Sequence, residues 1–154
     1  MADAAGFGAA RSVDLAFDAV GDGAPLLILH GLFGSSTNWR SIARRLAPQH
    51  RVYSVDLRNH GASPWADTMD YIAMAGDIAR LIERQGLQRP SLIGHSMGGK
   101  VAMALALLRP QSIDRLIVAD IAPVQYADRL SVFAEAMRTT DTLHAASREE
   151  VRLR

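Results

Sequence analysis

Gly94-His95-Ser96-Met97-Gly98 places one serine between two glycines, after an apolar run, Ser91-Leu92-Ile93, and before a strongly helical one, Lys100 to Leu108. That strand–turn–helix setting is what a G-x-S-x-G nucleophile elbow requires. A serine on so sharp a turn has unfavourable backbone angles, so the residues two positions away must lack bulk, and both are glycine. The turn lifts the Ser96 hydroxyl clear of the sheet. It also leaves the Met97 N–H at a helix start, where it can face an oxyanion. The chemistry suggested is attack of the serine on an acyl carbon.

The other strand ends extend the pattern. After the run Leu26 to Leu29 comes His30-Gly31-Leu32-Phe33-Gly34, whose glycines let the backbone approach a substrate. Its Leu32 N–H is the choice for a second oxyanion donor, with Phe33 next, because a tetrahedral acyl intermediate needs two donors aimed at one point. His30 reads as a structural hydrogen-bonding residue. Asp56-Leu57-Arg58-Asn59-His60-Gly61-Ala62-Ser63 reads as a turn network that braces the site. Asp120-Ile121-Ala122-Pro123 puts a carboxylate at a strand end, where it can orient a catalytic histidine or cap the turn that follows. Position alone leaves both roles open.

A rival motif overlaps the elbow. Gly94 to Lys100 fits the first seven positions of the phosphate-binding pattern G-x-x-x-x-G-K-[ST], but the eighth is Val101, which has no hydroxyl for Mg²⁺. The His30-Gly31 loop also has no use in a nucleotide site. No G-x-G-x-x-G follows a strand, and no His and carboxylate cluster suggests a metal, so the reading is of no cofactor and no metal.

The elements that must position these residues alternate. Val13 to Val20 reads as an edge strand ended by Gly21-Asp22-Gly23, and Leu26 to Leu29 as a strand buried on both faces. Trp39, Ile42, Ala43 and Leu46 share one face of a helix closed by Pro48. Val52 to Val55 is a short strand. Ile72, Ala75, Ile78, Ala79 and Ile82 mark a helix that stops near Gly86. Ser91 to Ile93, a helix from Met97 to Leu108 and the strand Leu116 to Ala119 follow. Strands alternating with helices imply a mostly parallel sheet with helices on both faces, an α/β architecture. Beyond Pro123 the pattern is helical, with Leu130, Phe133, Ala134 and Met137 on one face and a capping box at Ser147 to Glu150. The organisation expected is a core over residues 1–123 and the start of a helical region over 124–154.

The composition excludes several classes. Hydrophobic residues make up 49% and charged ones 21% of 154 residues, an ordinary globular balance. The net charge is +1 and the arginines are scattered, so no stripe suits nucleic acid. There is no cysteine, hence no disulfide, thiolate metal site or cysteine nucleophile. The first residues lack a basic segment followed by an apolar one, so no signal peptide is expected. The longest apolar run, Val101 to Leu108, is too short to span a bilayer. The expected location is the cytoplasm.

Taken together, His30-Gly31-Leu32-Phe33-Gly34, the segment Asp56 to Ser63, Gly94 to Gly99 and Asp120-Ile121-Ala122-Pro123 resemble the α/β-hydrolase fold family. Within it they are most similar to small carboxylesterases that act on short acyl esters and thioesters. The resemblance runs from about Leu26 to Tyr126. It implies Ser96 as nucleophile, Leu32 and Met97 as oxyanion donors, and Asp120, after the sixth strand of this branch, as the acid. It also implies a histidine base after the last strand. His30, His60 and His95 sit in structural motifs, His50 in a loop at the opposite end of the sheet, and His144 in the helical region. None occupies the place of the base. The chain is therefore expected to be truncated after about the sixth strand and the start of the helical cap. Two functions compete: a serine esterase whose triad is incomplete in this chain, or a non-catalytic module that binds a small acyl ligand or a partner protein. The strand Leu116 to Ala119 would be left as an exposed sheet edge through which the chain self-associates.

Overall fold

Leu27, Ile28 and Leu29 are fully buried, because the strand that carries them lies at the centre of a five-stranded sheet. The structure is a computed structural model and describes residues 12–125, together with Glu135, Arg138 and Thr139. The strands are β1 (Phe17–Val20), β2 (Ala24–Leu29), β3 (His50–Val55), β4 (Ser91–His95) and β5 (Leu116–Ala119). The helices are α1 (Arg40–Leu46), α2 (Tyr71–Arg84) and α3 (Met97–Leu108). The sheet order is β1-β3-β2-β4-β5. All neighbours are parallel except β1 and β3.

The run Leu26 to Leu29 serves both faces in turn, as a two-residue period demands. Leu27 and Leu29 pack with Leu92, Met74, Ile78, Val101 and Leu105 under α2 and α3. Leu26 and Ile28 pack with Ala43 and Val52 under α1. Each such aliphatic side chain contributes about 1.5–3 kcal/mol by leaving water. The α/β arrangement with helices on both faces is thus present as expected.

The topology creates the site. The chain passes from β2 outward to β3, then returns past β2 to β4, with Leu29 paired to Gly94. The connections leaving β2 and β4 therefore diverge, and a crevice opens at the carboxyl ends of these two strands.

A buried ion pair supports that end of the sheet. Arg58 Nε and Nη2 donate to the two carboxylate oxygens of Asp77 on α2 at 2.6 and 2.7 Å, and both side chains are excluded from water. Arg58 Nη1 also donates to the Thr68 carbonyl, and Asp77 accepts from the Val13 N–H. The loop after β3 is thereby fixed to α2 and to the start of the described chain.

The structure differs from the local expectations in five respects. The first turn of the α1 segment, Ser36–Trp39, is a 3-10 helix, and Ile42 is exposed rather than on the core face. Ile72 is also exposed, at the start of α2. Only Phe17–Val20 is strand. Before it, Val13 and Ala16 bond instead to Asp77 and Ser63. His50 begins β3 rather than lying in a loop, although it is at the end of the sheet away from Ser96.

Contacts divide the chain into two units, Met1–Pro123 and Val124–Arg154. In the second, Arg138 pairs with Glu135 at 2.6 Å, and the Thr139 hydroxyl donates to the Glu135 carbonyl. The helical face of Leu130, Phe133, Ala134 and Met137, the capping box, His144 and the first residues lie outside the described residues. Among the described residues no helix is long and apolar enough to cross a membrane.

Candidate active site

Ser96 has φ 50° and ψ −117°, a strained conformation for a residue with a side chain that costs on the order of 1–3 kcal/mol. Backbone bonds hold it there. Its N–H donates to the Ala119 carbonyl, and its own carbonyl accepts from the Gly99 N–H. The two elbow glycines are required by contact. A Cβ on Gly94 would sit 2.5 Å from the Gly98 carbonyl oxygen, and one on Gly98 would sit 2.5 Å from that of Leu29. Met97, the first residue of α3, has an N–H with no acceptor among the described residues.

The loop after β2 comes against this turn. A Cβ on Gly31 would lie 2.9 Å from His95 Nδ1 and 3.3 Å from Ser96 Cβ, so a side chain here would crowd the His95 ring and Ser96. His30 is buried. Its Nε2 accepts from the Leu57 N–H at 3.0 Å, which puts the proton on Nδ1, and this donates to the Gly31 carbonyl at 2.8 Å. Burial holds its pKa below the ordinary imidazole range. His30 therefore has the hydrogen-bonding place expected for it.

Phe33 has φ 61°, and its N–H donates to His60 Nε2 at 3.2 Å. The Leu32 N–H has no acceptor among the described residues, so of the two loop donors it is the open one. Asp56 braces the same region by accepting from the Ser36 and Ala62 N–H groups at 2.6 and 2.9 Å. Burial pushes its carboxyl up, but these hydrogen bonds outweigh burial and hold it below the usual range.

Asp120 stands at the end of β5 with φ 58° and a side chain 86% exposed. Its carboxylate lies 3.6 Å from His95 Nε2, so the imidazole it faces among the described residues is His95. His95 in turn meets Trp39 edge-on at 6.2 Å. An open pocket of about 420 Å³ lies here, lined by Gly31, Leu32, Phe33, Trp39, Ile42 and His95. Ser96 adjoins it through Gly31.

Sequence reasoning missed Trp39, Ile42 and His95 as pocket residues. The first two lie at helical spacing, and periodicity cannot tell a face turned to a core from one turned to a cleft. The rival phosphate-binding reading loses its eighth position altogether, since Val101 is fully buried in the core. Among the described residues no group of three or more His, Cys, Asp or Glu could hold a metal.

The profile of the alpha/beta hydrolase fold matches residues 24–153. The chain is 47% identical over 109 residues to the sn-1-specific diacylglycerol lipase ABHD11 of Danio rerio, covering 70% of this chain and 34% of that protein. It is 47% identical over 102 residues to Esterase YbfF of Escherichia coli (strain K12), covering 66% of this chain and 40% of that protein. The solved structure of a marine microorganism esterase superposes with a TM-score of 0.85 at 43% identity, covering 92% of this chain and 57% of that one. The chain thus spans well under half the length of these two curated relatives.

Proposed function

Since the chain belongs to the α/β hydrolase fold family, we propose that it carries the nucleophile half of a serine esterase acting on short acyl esters or thioesters. Ser96 Oγ attacks the acyl carbon, and the carbonyl π electrons move onto oxygen. The Leu32 and Met97 N–H groups receive that oxyanion. Its collapse expels the alcohol or thiol and leaves the acyl group on Ser96, and water then releases the acid. The observation that carries this reading is the pairing of a strained serine with two backbone donors that have no acceptor among the described residues. Donors held in place before the reaction need no reorganisation as charge develops.

Asp120 is the proposed acid of the triad. The imidazole that takes the Ser96 proton and returns it to the departing alcohol or thiol is proposed to lie outside these 154 residues. The size of the pocket and the apolar side chains of Leu32, Phe33, Trp39 and Ile42 in its mixed lining suit a small acyl group. One observation favours a second reading, a non-catalytic module that binds an acyl ligand. Asp120 faces His95, and no other described imidazole approaches that carboxylate.

The test is intact-protein mass spectrometry after prolonged exposure to 4-nitrophenyl acetate, since without the base Ser96 reacts slowly. One acetyl group on Ser96, absent in Ser96→Ala, supports the esterase reading. Labelling unchanged by that substitution would reject it.

A further inference from the structure

His60 lies outside the proposed reaction, yet it is bonded to the loop that supplies one oxyanion donor. Its Nε2 accepts from the Phe33 N–H at 3.2 Å, and its Nδ1 donates to the Arg58 carbonyl at 2.9 Å. The second bond fixes both ring orientation and tautomer, because a neutral imidazole that donates from Nδ1 accepts at Nε2. The His30 ring, 5.0 Å away and tilted, packs against it.

From this geometry we propose that His60 is a positioning residue, which turns the Leu32 N–H toward Ser96 by holding the Phe33 N–H. The proposal rests on the esterase reading for its catalytic consequence, but not for its geometry. Phe33 is left-handed at φ 61°, a conformation that costs about 1–2 kcal/mol in a residue with a side chain. Something must oppose its relaxation to negative φ. The bond from its N–H to His60 does so, because that relaxation would carry the N–H away from Nε2. The Phe33 nitrogen and the Leu32 carbonyl belong to one peptide plane, and only φ and ψ of Leu32 separate that plane from the one carrying the Leu32 N–H, so holding the first restricts the second.

The support behind His60 is stiff. Arg58, whose carbonyl holds the ring, has its guanidinium locked on Asp77 in the interior. A rigid line therefore runs from α2 through Asp77, Arg58, His60 and Phe33 to Leu32. Positioning of this kind is needed in a loop, since a donor displaced by about 1 Å can cost ~10²-fold in rate.

The experiment compares His60→Ala and His60→Gln with the 154-residue chain. The glutamine carbonyl oxygen can reach the place of Nε2 and accept the same N–H. In ¹⁵N-labelled protein, coupling across the hydrogen bond between the Phe33 nitrogen and His60 Nε2 is expected. The Leu32 and Phe33 amide resonances should move in His60→Ala and return toward their original positions in His60→Gln. Acetylation of Ser96 by 4-nitrophenyl acetate should slow by about 10²-fold in His60→Ala at unchanged half-saturation, the scale of a lost oxyanion donor, and recover in His60→Gln.

Equal acetylation rates in all three proteins, or an undisturbed Leu32 resonance in a folded His60→Ala, would overturn the proposal. If His60→Ala does not fold, the coupling in the parent and the His60→Gln comparison decide it. A parent chain that is not acetylated at Ser96 even on prolonged exposure, when the oxyanion hole alone should still give slow reaction, defeats the esterase reading instead, while the coupling and the Leu32 resonance still decide whether His60 sets the loop.

Discussion

The Gly98 N–H donates to the His30 carbonyl oxygen at 3.1 Å, joining the turn that carries Ser96 to the loop that carries Leu32. The two proposed oxyanion donors come from separate connections, and this backbone bond fixes their separation. It needs glycine at 98, because a Cβ there would lie 2.6 Å from that same carbonyl oxygen.

Gly98→Ala should therefore abolish Ser96 acetylation and lower stability by about 1–3 kcal/mol, the usual scale of overpacking. Gly86 is the control, at φ 61° with open space around it. Gly86→Ala should cost about 1 kcal/mol from backbone strain alone and leave acetylation intact. Urea unfolding and intact mass measure both.

Asp77→Ala strands the Arg58 guanidinium in the interior. Removing one partner of a buried pair typically costs about 3–5 kcal/mol, and urea unfolding should show a loss of that size. Replacing both, Arg58→Met with Asp77→Leu, should cost less. A double variant as damaged as Asp77→Ala would show that the remaining Arg58 contacts, not the ion pair, dominate.

Acid should destabilise the fold in two stages. Burial keeps the His30 pKa below its ordinary 6.5, so the unfolded chain takes up that proton first as pH falls. The stability from neutral His30 is complete above about pH 6.5 and is lost as pH drops through the lower folded value. Asp56 has the same sign, because its folded pKa is held below the ordinary 3.8. Thermal midpoints should fall from pH 7 to pH 5, and again below pH 4. The first fall should shrink in His30→Gln, and a midpoint that climbs from pH 7 to 5 would contradict the neutral His30.

The 154-residue chain should turn esters over very slowly. Loss of the histidine base can cost about 10⁶-fold in a serine hydrolase, with roughly 10³-fold over water remaining from the oxyanion hole and binding. Any residual Ser96-dependent turnover should depend on His95, the imidazole that Asp120 faces. Ordinary esterase rates that survive His95→Asn would require another base, with His144 the next to test.

Strand β5 has a single neighbour among the described residues, and Ile117 on it is 57% exposed. An apolar edge offers unpaired backbone groups to another chain. Light scattering at micromolar concentration should show self-association of the 154-residue chain, reduced by Ile117→Lys. A monodisperse monomer would show that the edge is protected.

Much of the core was legible because local pattern and burial agree there. Leu26 to Leu29 reads as a strand buried on both faces and the glycines at 94 and 98 as serving a tight turn, and both features are present. Ile42 misled because a helix can turn an apolar face to a cleft as well as to a core. The Arg58–Asp77 pair and the bond from Phe33 to His60 were invisible for another reason. Each joins residues far apart in sequence, and neither partner's type reveals the other. Asp120 was placed correctly at its strand end, but its companion imidazole, His95, became visible only once β4 and β5 were set side by side.

The central pairing of β2 with β4 joins segments roughly 65 residues apart in the chain, so it must wait for a large loop to close. Helices α1 and α2 and the β2–β3 unit can gain structure before that, from contacts closer in sequence. The approach of the Gly31 backbone to Ser96 cannot, since it exists only where β2 and β4 lie together. Acylation competence should thus be among the last properties regained on refolding, on the millisecond-to-second scale of chains rich in distant pairings. A stopped-flow refolding series, read by helical signal and by Ser96 acetylation, should show the helical signal returning first.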